Sequence, residues 1–456
     1  MLANGHRVHR LVTLSCFAAR QTLRQPALML RLMAVLLLAA MSMVPVNAAE
    51  PPLTVTDLAG RQVTLDHVPQ RIFLDDPRHL FALAALLPDP VARMSGWHGS
   101  LAGFDDEAQA RFTEIFPALA RLPSLGGGNA RLSAESLLTL HSDLVVINLA
   151  RYAELRESPL LDQLTALEIP VVFIDFQQHP LADTGPSLTL LGRVLDVDPR
   201  ARALVSRLES AVDAVDDCID NAPERFEAPS VLIDIAPGLK VDCCRSNFDS
   251  GIADLVSRAG GDNLAANLTP GSENVLNPER ILARDPDVII ATAARWPGGS
   301  SIREGFGVAP ETTQRDMARI VSQRPGWASL SAVNEGRFHA LWHGYHQGPF
   351  SAVALQAIAK WLHPRQCAAL DPATTRRALF ADFLPISPRG TFEATFGDTS
   401  EATSGDTSEA TSGDTSKAAA SAEAPAEPGD RLRDAPGAQS DSVGTSILAA
   451  TPITHP

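Results

Sequence analysis

The sequence predicts an α/β protein: two Rossmann-like lobes with central parallel sheets, joined by one long rigid helix and followed by a disordered C-terminal tail. Short runs of branched apolar residues alternate with amphipathic segments over 53–385, which is typical of parallel sheets with crossover helices. A long helical pattern separates the two halves of this region, and an eight-residue repeat follows it. The expected divisions are a signal peptide at 1–48, an N-terminal α/β lobe at 49–180, a linker helix region at 181–222, a C-terminal α/β lobe at 223–390 and an acidic low-complexity tail at 391–456.

The first 48 residues have the composition of an export signal. Arg31 ends a basic region, an apolar run covers 32–46, and Val46-Asn47-Ala48 offers small residues for cleavage. The run is too short for the roughly 20 residues of a transmembrane helix, which excludes an integral membrane protein. Cys16 precedes the run, where a lipid-attachment cysteine would not be, and Met29 is an alternative start. We therefore expect a soluble periplasmic protein that is secreted through a signal peptide and is not a lipoprotein.

The charge of the chain disfavours a nucleic-acid partner. Its 456 residues include 38 basic and 53 acidic side chains, a formal net charge of −15. Five of the arginines belong to the expected signal, so the exported part would carry −20. A protein of this sign repels a phosphate backbone, whereas binding through phosphate contacts needs a basic surface.

Seven short apolar runs are the expected strands. In the first half they cover 71–74, 91–95, 144–148 and 171–175, and in the second half 231–235, 288–291 and 337–341. Between the halves, Asp198 can cap a helix and Pro199 fits its first turn. Apolar residues then follow helical spacing for six turns, as far as Ile219. Most interdomain linkers are flexible and rich in Gly, Ser or Pro, so this one is interpreted as rigid.

The two halves repeat one pattern at an offset of 144 residues. Glu135 stands near the start of a short capped helix, and Asp143 precedes a buried strand. Glu279 and Asp287 occupy the corresponding places in the second half. Helix–Asp–strand units recur by chance in any α/β protein, so the match supports two similar lobes without requiring them.

A decaying repeat forms the C-terminus. From Thr391 the sequence reads TFEATFGD, TSEATSGD, TSEATSGD and then passes into Ala-, Pro- and Glu-rich sequence. Large apolar residues are almost absent after Phe396, so this segment cannot bury enough surface to offset its ordering entropy. We expect a disordered acidic tail without a catalytic role.

Several short motifs carry a resemblance to a known family. They are VTDLAGRQV at 55–63, VPQRI at 68–72, LGRVL at 191–195, AGGDN at 259–263 and GPFS at 348–351. In these motifs and their order, the chain resembles the periplasmic substrate-binding proteins of iron-siderophore, haem and cobalamin ABC importers, the class III proteins with two lobes on a rigid helix. The resemblance implies a monomeric binding protein, neither an enzyme nor cofactor-dependent, that serves a permease dimer with its ATPase. It also implies that Glu135 and Glu279 meet arginines on the two permease subunits.

Loops after the expected strands hold the candidate ligand-binding residues. Ligands of open parallel sheets bind beyond the carboxyl ends of the strands, here between two lobes. Aromatic side chains cover flat or greasy ligand surfaces, and arginines hold anionic groups. We therefore expect a ferric siderophore or related metal chelate, with haem or cobalamin as alternatives. The residues expected to bind it are Arg78, Trp97, Arg151, Tyr152, Arg245, Trp296, Trp342, His343, Tyr345 and His346.

One of these loops could ligate a metal directly. Its sequence, Trp-His-Gly-Tyr-His at 342–346, brings two imidazoles and a phenol together. His343, Tyr345 and His346 could coordinate iron or haem iron, or a histidine could simply hydrogen-bond the backbone and shape the turn. A metal-dependent chelatase or hydrolase using this loop is the rival from another functional class, although neither G-x-S-x-G nor H-E-x-x-H occurs in the chain.

The cysteines predict disulfide bonding after export. The four that follow the signal allow three complete pairings in an oxidising compartment. A Cys218–Cys367 bridge joining the long helix to the last helices is the favoured pairing, with Cys243 and Cys244 free or cross-linked. A disulfide between these two neighbours, on a loop that we expect at the cleft, would present a rigid apolar ridge to the ligand.

Overall fold

A computed structural model describes the chain at Met33 and at residues 51–126, 132–220, 228–239, 243–266 and 275–398. Except for Met33, the expected signal peptide lies outside the described residues, as does the tail from residue 399. Within the described ranges, no helix combines the length and the apolar character needed to cross a membrane. Two five-stranded sheets, one in each half, confirm the predicted α/β class with two lobes.

The N-terminal lobe contains β1 (Leu53–Thr56), β2 (Gln62–Leu65), β3 (Ile72–Leu74), β4 (Met94–His98), β5 (Ser124–Leu125), β6 (Leu144–Asn148) and β7 (Val171–Ile174). Its main sheet has the order β5-β4-β3-β6-β7, and all of its pairings are parallel. Every residue of β3, β6 and β7 is buried, as expected for strands that helices cover on both faces. The strand expected at 91–95 is wrong in its bounds, because 91–93 form a 3-10 turn after Pro90 and β4 follows it.

The helices of this half and of the linker lie between and after those strands. They are α1 (Leu80–Leu86), α2 (Asp106–Ile115), α3 (Ala134–Thr139), α4 (Tyr152–Leu155), α5 (Leu160–Ala166), α6 (Pro180–Val194) and α7 (Asp198–Asp220).

The C-terminal lobe contains β8 (Ser230–Asp234), β9 (Asp262–Asn263), β10 (Val288–Ala293), β11 (Gly305–Phe306), β12 (Phe338–Trp342), β13 (Gly390–Thr391) and β14 (Glu393–Thr395). Its main sheet has the order β14-β12-β10-β8-β9 and is parallel except for β14, which runs antiparallel to β12. Its helices are α8 (Ile252–Arg258), α9 (Pro278–Arg284), α10 (Pro310–Gln323), α11 (Ser331–Asn334), α12 (Ser351–Leu362) and α13 (Pro372–Phe383).

Helix α7 is the long helix that the linker pattern predicts. Its 23 residues extend about 35 Å at 1.5 Å per residue. The apolar positions that it buries, among them Leu204, Leu208 and Val215, recur at helical spacing and form one face. Helix α6 packs closely against α7 because Gly192 lacks a side chain: a Cβ there would lie 2.3 Å from the Cβ of Ala201. Cys218, near the end of α7, forms a disulfide with Cys367, just after α12.

The beginning of the expected disordered tail is ordered, which corrects the boundary at residue 391. The first copy of the repeat supplies β14, and Phe392 is buried at 1% exposure. Phe396 is partly buried against the core of the C-terminal lobe. These two phenylalanines become serine in the next two copies, so the first copy alone can bury aromatic surface.

Candidate functional site

A small cavity lies between the lobes, among residues that follow β3 and β4 of one sheet and β10 and β12 of the other. Ligands of open parallel sheets bind at this end of the strands. The cavity measures about 20 Å³, which is room for about one water molecule. Its walls are formed by Arg78, Phe81, Leu101, Phe104, Asp105, Ala294, Trp296, Trp342, His343, Gly344 and Gln347.

Four of the residues expected to bind the ligand line this cavity: Arg78, Trp296, Trp342 and His343. The Arg78 guanidinium lies over the ring of Phe104, 4.3 Å from its centroid. The rings of Trp296 and His343 meet edge to face, with 5.1 Å between their centroids. Aromatic rings therefore form almost half of the cavity wall, five of its eleven residues.

Two of the expected aromatic residues belong to the core of the N-terminal lobe instead. Trp97 is 2% exposed because β4 continues to His98, so this position lies inside the strand rather than in the loop after it. Tyr152 packs edge-on against Phe173 of β7, with ring centroids 5.0 Å apart. Neither lines the cavity. The expected placement of Trp97 after its strand is wrong, whereas Tyr152 follows β6 as expected and its role in ligand binding stays a prediction.

The two other expected arginines are also placed apart from the cavity wall. The Arg151 guanidinium donates to the carboxylate of Asp75 and lies 3.7 Å from that of Glu154. Arg245 is exposed, and its backbone carbonyl accepts the N–H of Ile235 at 2.6 Å. Arg151 therefore has an intramolecular carboxylate partner in this arrangement.

Tyr345 is buried in a polar cluster and does not line the cavity, so its expected role in ligand binding stays a prediction. Its hydroxyl donates to Glu393 Oε1 at 2.5 Å and lies 3.0 Å from Arg376 Nη1, which also pairs with Glu393. Burial raises the pKa of Tyr345 well above 10.0, and Glu393 adds to this against the opposing effect of Arg376. Glu304, also buried beside this cluster, has a pKa raised well above 4.5 by burial and by Glu393. The phenol is therefore engaged by two partners within the chain.

The two histidines of the same loop are neutral. His343 and His346 meet edge to face with 4.5 Å between their ring centroids. Burial lowers the pKa of His343 well below 6.5, and the nearby His346, Arg78 and Arg245 lower it further. Burial and Arg78 lower the pKa of His346 to about 3. His343 Nδ1 lies 3.0 Å from Thr292 Oγ1, which orients the ring. Within the described ranges, no three His, Cys, Asp or Glu side chains form a group that could hold a metal ion.

Asp105 is a cavity residue that the sequence analysis missed. It caps α2 by accepting the Ala108 N–H on Oδ1 at 2.9 Å, and it is 2% exposed. Oδ2 forms no hydrogen bond of good geometry with any described residue. Burial raises the pKa of this carboxyl to about 6, although the Ala108 N–H, Arg295 and the Phe306 N–H act in the opposite direction. Extending the loop after β4 to the next helix cap would have identified Asp105.

Aromatic packing closes the lobes against each other around Phe81 of α1. Its ring lies 5.4 to 6.1 Å from the rings of Phe112, Phe306, Trp342 and Phe350. Phe112 belongs to the N-terminal lobe with Phe81, whereas the other three rings come from the C-terminal half. This cluster could not be predicted from local sequence patterns, because its members are dispersed along the chain.

The adjacent cysteines form a disulfide outside this cavity. Cys243 and Cys244 are joined, and Cys244 is wholly buried, with its Sγ 3.7 Å from Arg324 Nη1. Cys243 borders an open groove of the C-terminal lobe that Pro278 and Trp327 also line. The disulfide was expected to present an apolar ridge to the ligand at the cleft, but it borders this groove instead of the cavity.

The two glutamates expected at the permease occupy equivalent surface positions. Glu135 lies in the first turn of α3 and Glu279 in the first turn of α9, and both are exposed. Three residues further on, Leu138 and Leu282 are 52% and 36% exposed, and both belong to the small set of large apolar residues exposed in the described part of the chain. The leucines are separated by the same 144 positions as the glutamates.

The chain is similar to periplasmic binding proteins. The family model described as periplasmic binding protein matches residues 117–342. No curated protein matches the chain significantly. The TroA-like periplasmic binding protein FepB from Veillonella parvula is 25% identical, over 76% of this chain and 100% of its own, with a TM-score of 0.69. The molybdate-bound protein MolA from Haemophilus influenzae is 19% identical, over 74% of this chain and 99% of its own, with a TM-score of 0.54. CeuE from Helicobacter pylori with Ni(II) bound is 16% identical, over 74% and 97%, with a TM-score of 0.52.

Proposed function

Because the chain belongs to the periplasmic binding proteins of ABC transporters, we propose that it captures a ferric siderophore or related metal chelate between its lobes and delivers it to an ABC importer. The observation that supports this ligand class is the aromatic cavity at the carboxyl ends of both sheets. Phe104, Trp296 and Trp342 offer faces and edges for a large organic chelate. Its role is to carry the ligand unchanged, so no catalytic residue is assigned.

Ligand binding of this kind requires the lobes to separate. A siderophore is far larger than the one water molecule that the cavity can hold. Several polar contacts bridge the lobes. The Arg295 guanidinium donates to Asp106 Oδ1 at 2.7 Å, and Arg111 Nη1 donates to the Ser387 carbonyl at 2.8 Å. The Gly251 N–H also donates to the Gln178 carbonyl at 2.9 Å. Ion pairs that water reaches contribute only about 0–1 kcal/mol, so the Arg295–Asp106 pair adds little to the cost of opening.

Haem is less well supported than a siderophore. Tyr345, one of its three expected axial ligands, is protonated and bound to Glu393 and Arg376. His346 is buried behind His343 in the same loop and does not line the cavity. Only His343 remains in the cavity wall as a candidate for direct ligation.

Tryptophan fluorescence tests the ligand class. Titration with ferric siderophores should quench the emission with a Kd below about 10 μM, or about −7 kcal/mol. Trp296→Phe should remove much of the quenching, whereas Trp327→Phe, in the core of the C-terminal lobe, should leave it intact. The mass of the ligand, measured before and after incubation, should not change. Binding of haem without binding of any ferric siderophore would refute the proposed ligand class.

We further propose that the exposed Glu135–Leu138 and Glu279–Leu282 pairs dock a two-fold permease. Each pair combines a carboxylate with an apolar side chain one helical turn away, and the two lobes repeat this pair at one offset. A partner with two equivalent subunits could therefore offer the same basic and apolar surface to each lobe. A simpler reading of the glutamates is that acids are favoured in the first turn by the helix dipole.

Charge reversal separates these two readings. Glu135→Arg combined with Glu279→Arg should abolish transport while ligand affinity stays within about twofold of the wild-type value. The matched control reverses one exposed glutamate of each lobe elsewhere, with Glu114→Arg and Glu335→Arg. If cells carrying the first pair still grow on the ligand as sole iron source, the docking assignment is wrong.

A further inference from the structure

Three of the four arginines expected around the cleft have carboxylate partners. Arg78 Nε donates to Asp76 at 2.8 Å, and Arg295 donates to both carboxylate oxygens of Asp106 at 2.7 and 3.2 Å. Burial raises the pKa of Asp76, but the Arg78 guanidinium outweighs this and holds it at about 2, so the Arg78–Asp76 pair is fully ionised at neutral pH. The arginine–carboxylate ion pairs around the cleft, in the part of the chain that the structure describes, are Arg78 with Asp76, Arg151 with Asp75, and Arg295 with Asp106.

Two further carboxylates, Asp175 and Asp105, follow the carboxyl ends of strands β7 and β4 of the N-terminal sheet. Asp175, wholly buried after β7, accepts backbone N–H groups from the three residues 177–179. Asp105 has a buried oxygen, Oδ2, without a hydrogen bond in the described part of the chain. Together with the paired aspartates they make five carboxylates. The guanidiniums of Arg78, Arg151, Arg245 and Arg295 number four, and the cavity histidine, His343, is neutral.

Asp105 lies where a ligand could use it. Asp105 lines the cavity together with Trp342. A Cβ on Gly305 would lie 2.7 Å from Asp105 Oδ2 and 2.9 Å from Trp342 Nε1, so the absence of a side chain on Gly305 lets these two polar groups approach each other from opposite lobes. The Phe306 N–H faces this carboxyl but makes no hydrogen bond of good geometry with Oδ2. A buried acceptor in this state is costly, and a ligand that supplies a well-placed donor reduces this cost.

We propose that the cleft selects an electroneutral or cationic chelate over an anionic one, and that Asp105 accepts a hydrogen bond from a donor group on it. This inference rests on the proposed function and narrows its ligand class. To use the paired arginines, an anionic chelate would have to displace their aspartates. It would also approach a surface on which these carboxylates outnumber these guanidiniums. Ferric trihydroxamates, which are neutral, meet the requirement, and one with a free amine meets it best. Ferric tricatecholates, with three negative charges, do not.

One chelate in three charge states tests the proposal. A linear ferric trihydroxamate has the charge +1 with its terminal amine free, 0 when the amine is acetylated and −1 when it is succinylated. Tryptophan fluorescence should give at least a tenfold loss of affinity from the first form to the last. The difference should shrink between about 0.01 and 1 M salt, where the Debye length falls from about 30 to about 3 Å.

An Asp105→Asn variant tests whether Asp105 is responsible for the preference for cationic chelates. Asp105→Asn keeps the side-chain volume and a capping oxygen for α2, and should reduce the difference between the outer forms to less than about threefold. Asp66→Asn, at an exposed position, should preserve it. Equal affinity for the three forms in wild-type protein, or tighter binding of a ferric tricatecholate, would overturn the charge inference alone. Failure of every ferric chelate to bind would overturn the proposed function as well.

Discussion

Replacing Asp105 by asparagine should stabilise the folded protein at neutral pH. In the fold the pKa of this carboxyl is about 6, against an ordinary value of 3.8, mainly because burial disfavours the charged form. Each pKa unit corresponds to about 1.4 kcal/mol, so keeping Asp105 ionised costs the folded state about 3 kcal/mol. Asparagine removes the charge and still caps α2.

The pH dependence gives the prediction its sign. Between about pH 4 and 6 the unfolded chain has released this proton while the folded protein retains it, so the wild-type free energy of unfolding falls as pH rises. The loss is nearly complete by about pH 7. Asp105→Asn lacks this decline, so the variant should gain about 2–3 kcal/mol on the wild type between pH 4 and pH 7.5. A constant cost of the new amide, which faces the Phe306 N–H, cancels in this comparison.

Urea denaturation across this pH range measures the difference. The matched control is Asp371→Asn at the cap of α13, where Asp371 accepts the Thr374 N–H. The Thr374 hydroxyl and N–H lower the pKa of Asp371, so its stabilising effect is present at neutral pH and is lost as pH falls. Because this change occurs below about pH 4, the unfolding free energy of that variant should run nearly parallel to the wild-type curve between pH 4 and pH 7.5. An unfolding free energy of Asp105→Asn that runs parallel to the wild-type curve would refute the reasoning.

Three other predictions follow from the packing. Phe392→Ser should lower the free energy of unfolding by about 3–5 kcal/mol, because a wholly buried ring is lost, and a loss below about 1 kcal/mol would contradict its role. Removing the Cys218–Cys367 bridge with serines should cost about 3 kcal/mol in thermal unfolding, and peptide mapping that finds either cysteine in another pairing would refute the bridge. Leu138→Ser and Leu282→Ser should each weaken binding to the reconstituted importer about tenfold, whereas an equal effect of Leu167→Ser would deny them a specific role.

Local sequence patterns predicted the strands because buried parallel strands need continuous apolar runs. The strand predicted at 144–148 has the bounds of β6, and most of the others differ by one or two residues. The error at 91–95 had consequences for the site. By ending that strand too early, it assigned Trp97 to the cleft, although the strand continues through this residue and is buried on both faces there.

The charge state of the site could not be predicted in the same way. Arg295 and Asp106 are 189 residues apart and meet only because the lobes close against each other. The Tyr345 hydroxyl depends on Glu393, which belongs to a segment that composition assigns to the disordered tail. Sequence identifies which residues can carry a charge, but burial and distant partners decide which of them remain available to a ligand.

The first copy of the repeat also has a consequence for strand register. Strand β14 forms one edge of the sheet, and the next copy, TSEATSGD, offers the same backbone hydrogen bonds eight residues later. A slip by one copy would replace Phe392 and Phe396 with serine. Burying a phenylalanine side chain contributes about 1.5–3 kcal/mol, so the slipped pairing would be disfavoured by at least a hundredfold if both rings are counted. Two aromatic residues thus select one copy among near-identical ones, and restoring phenylalanine in a later copy would create a competing edge strand.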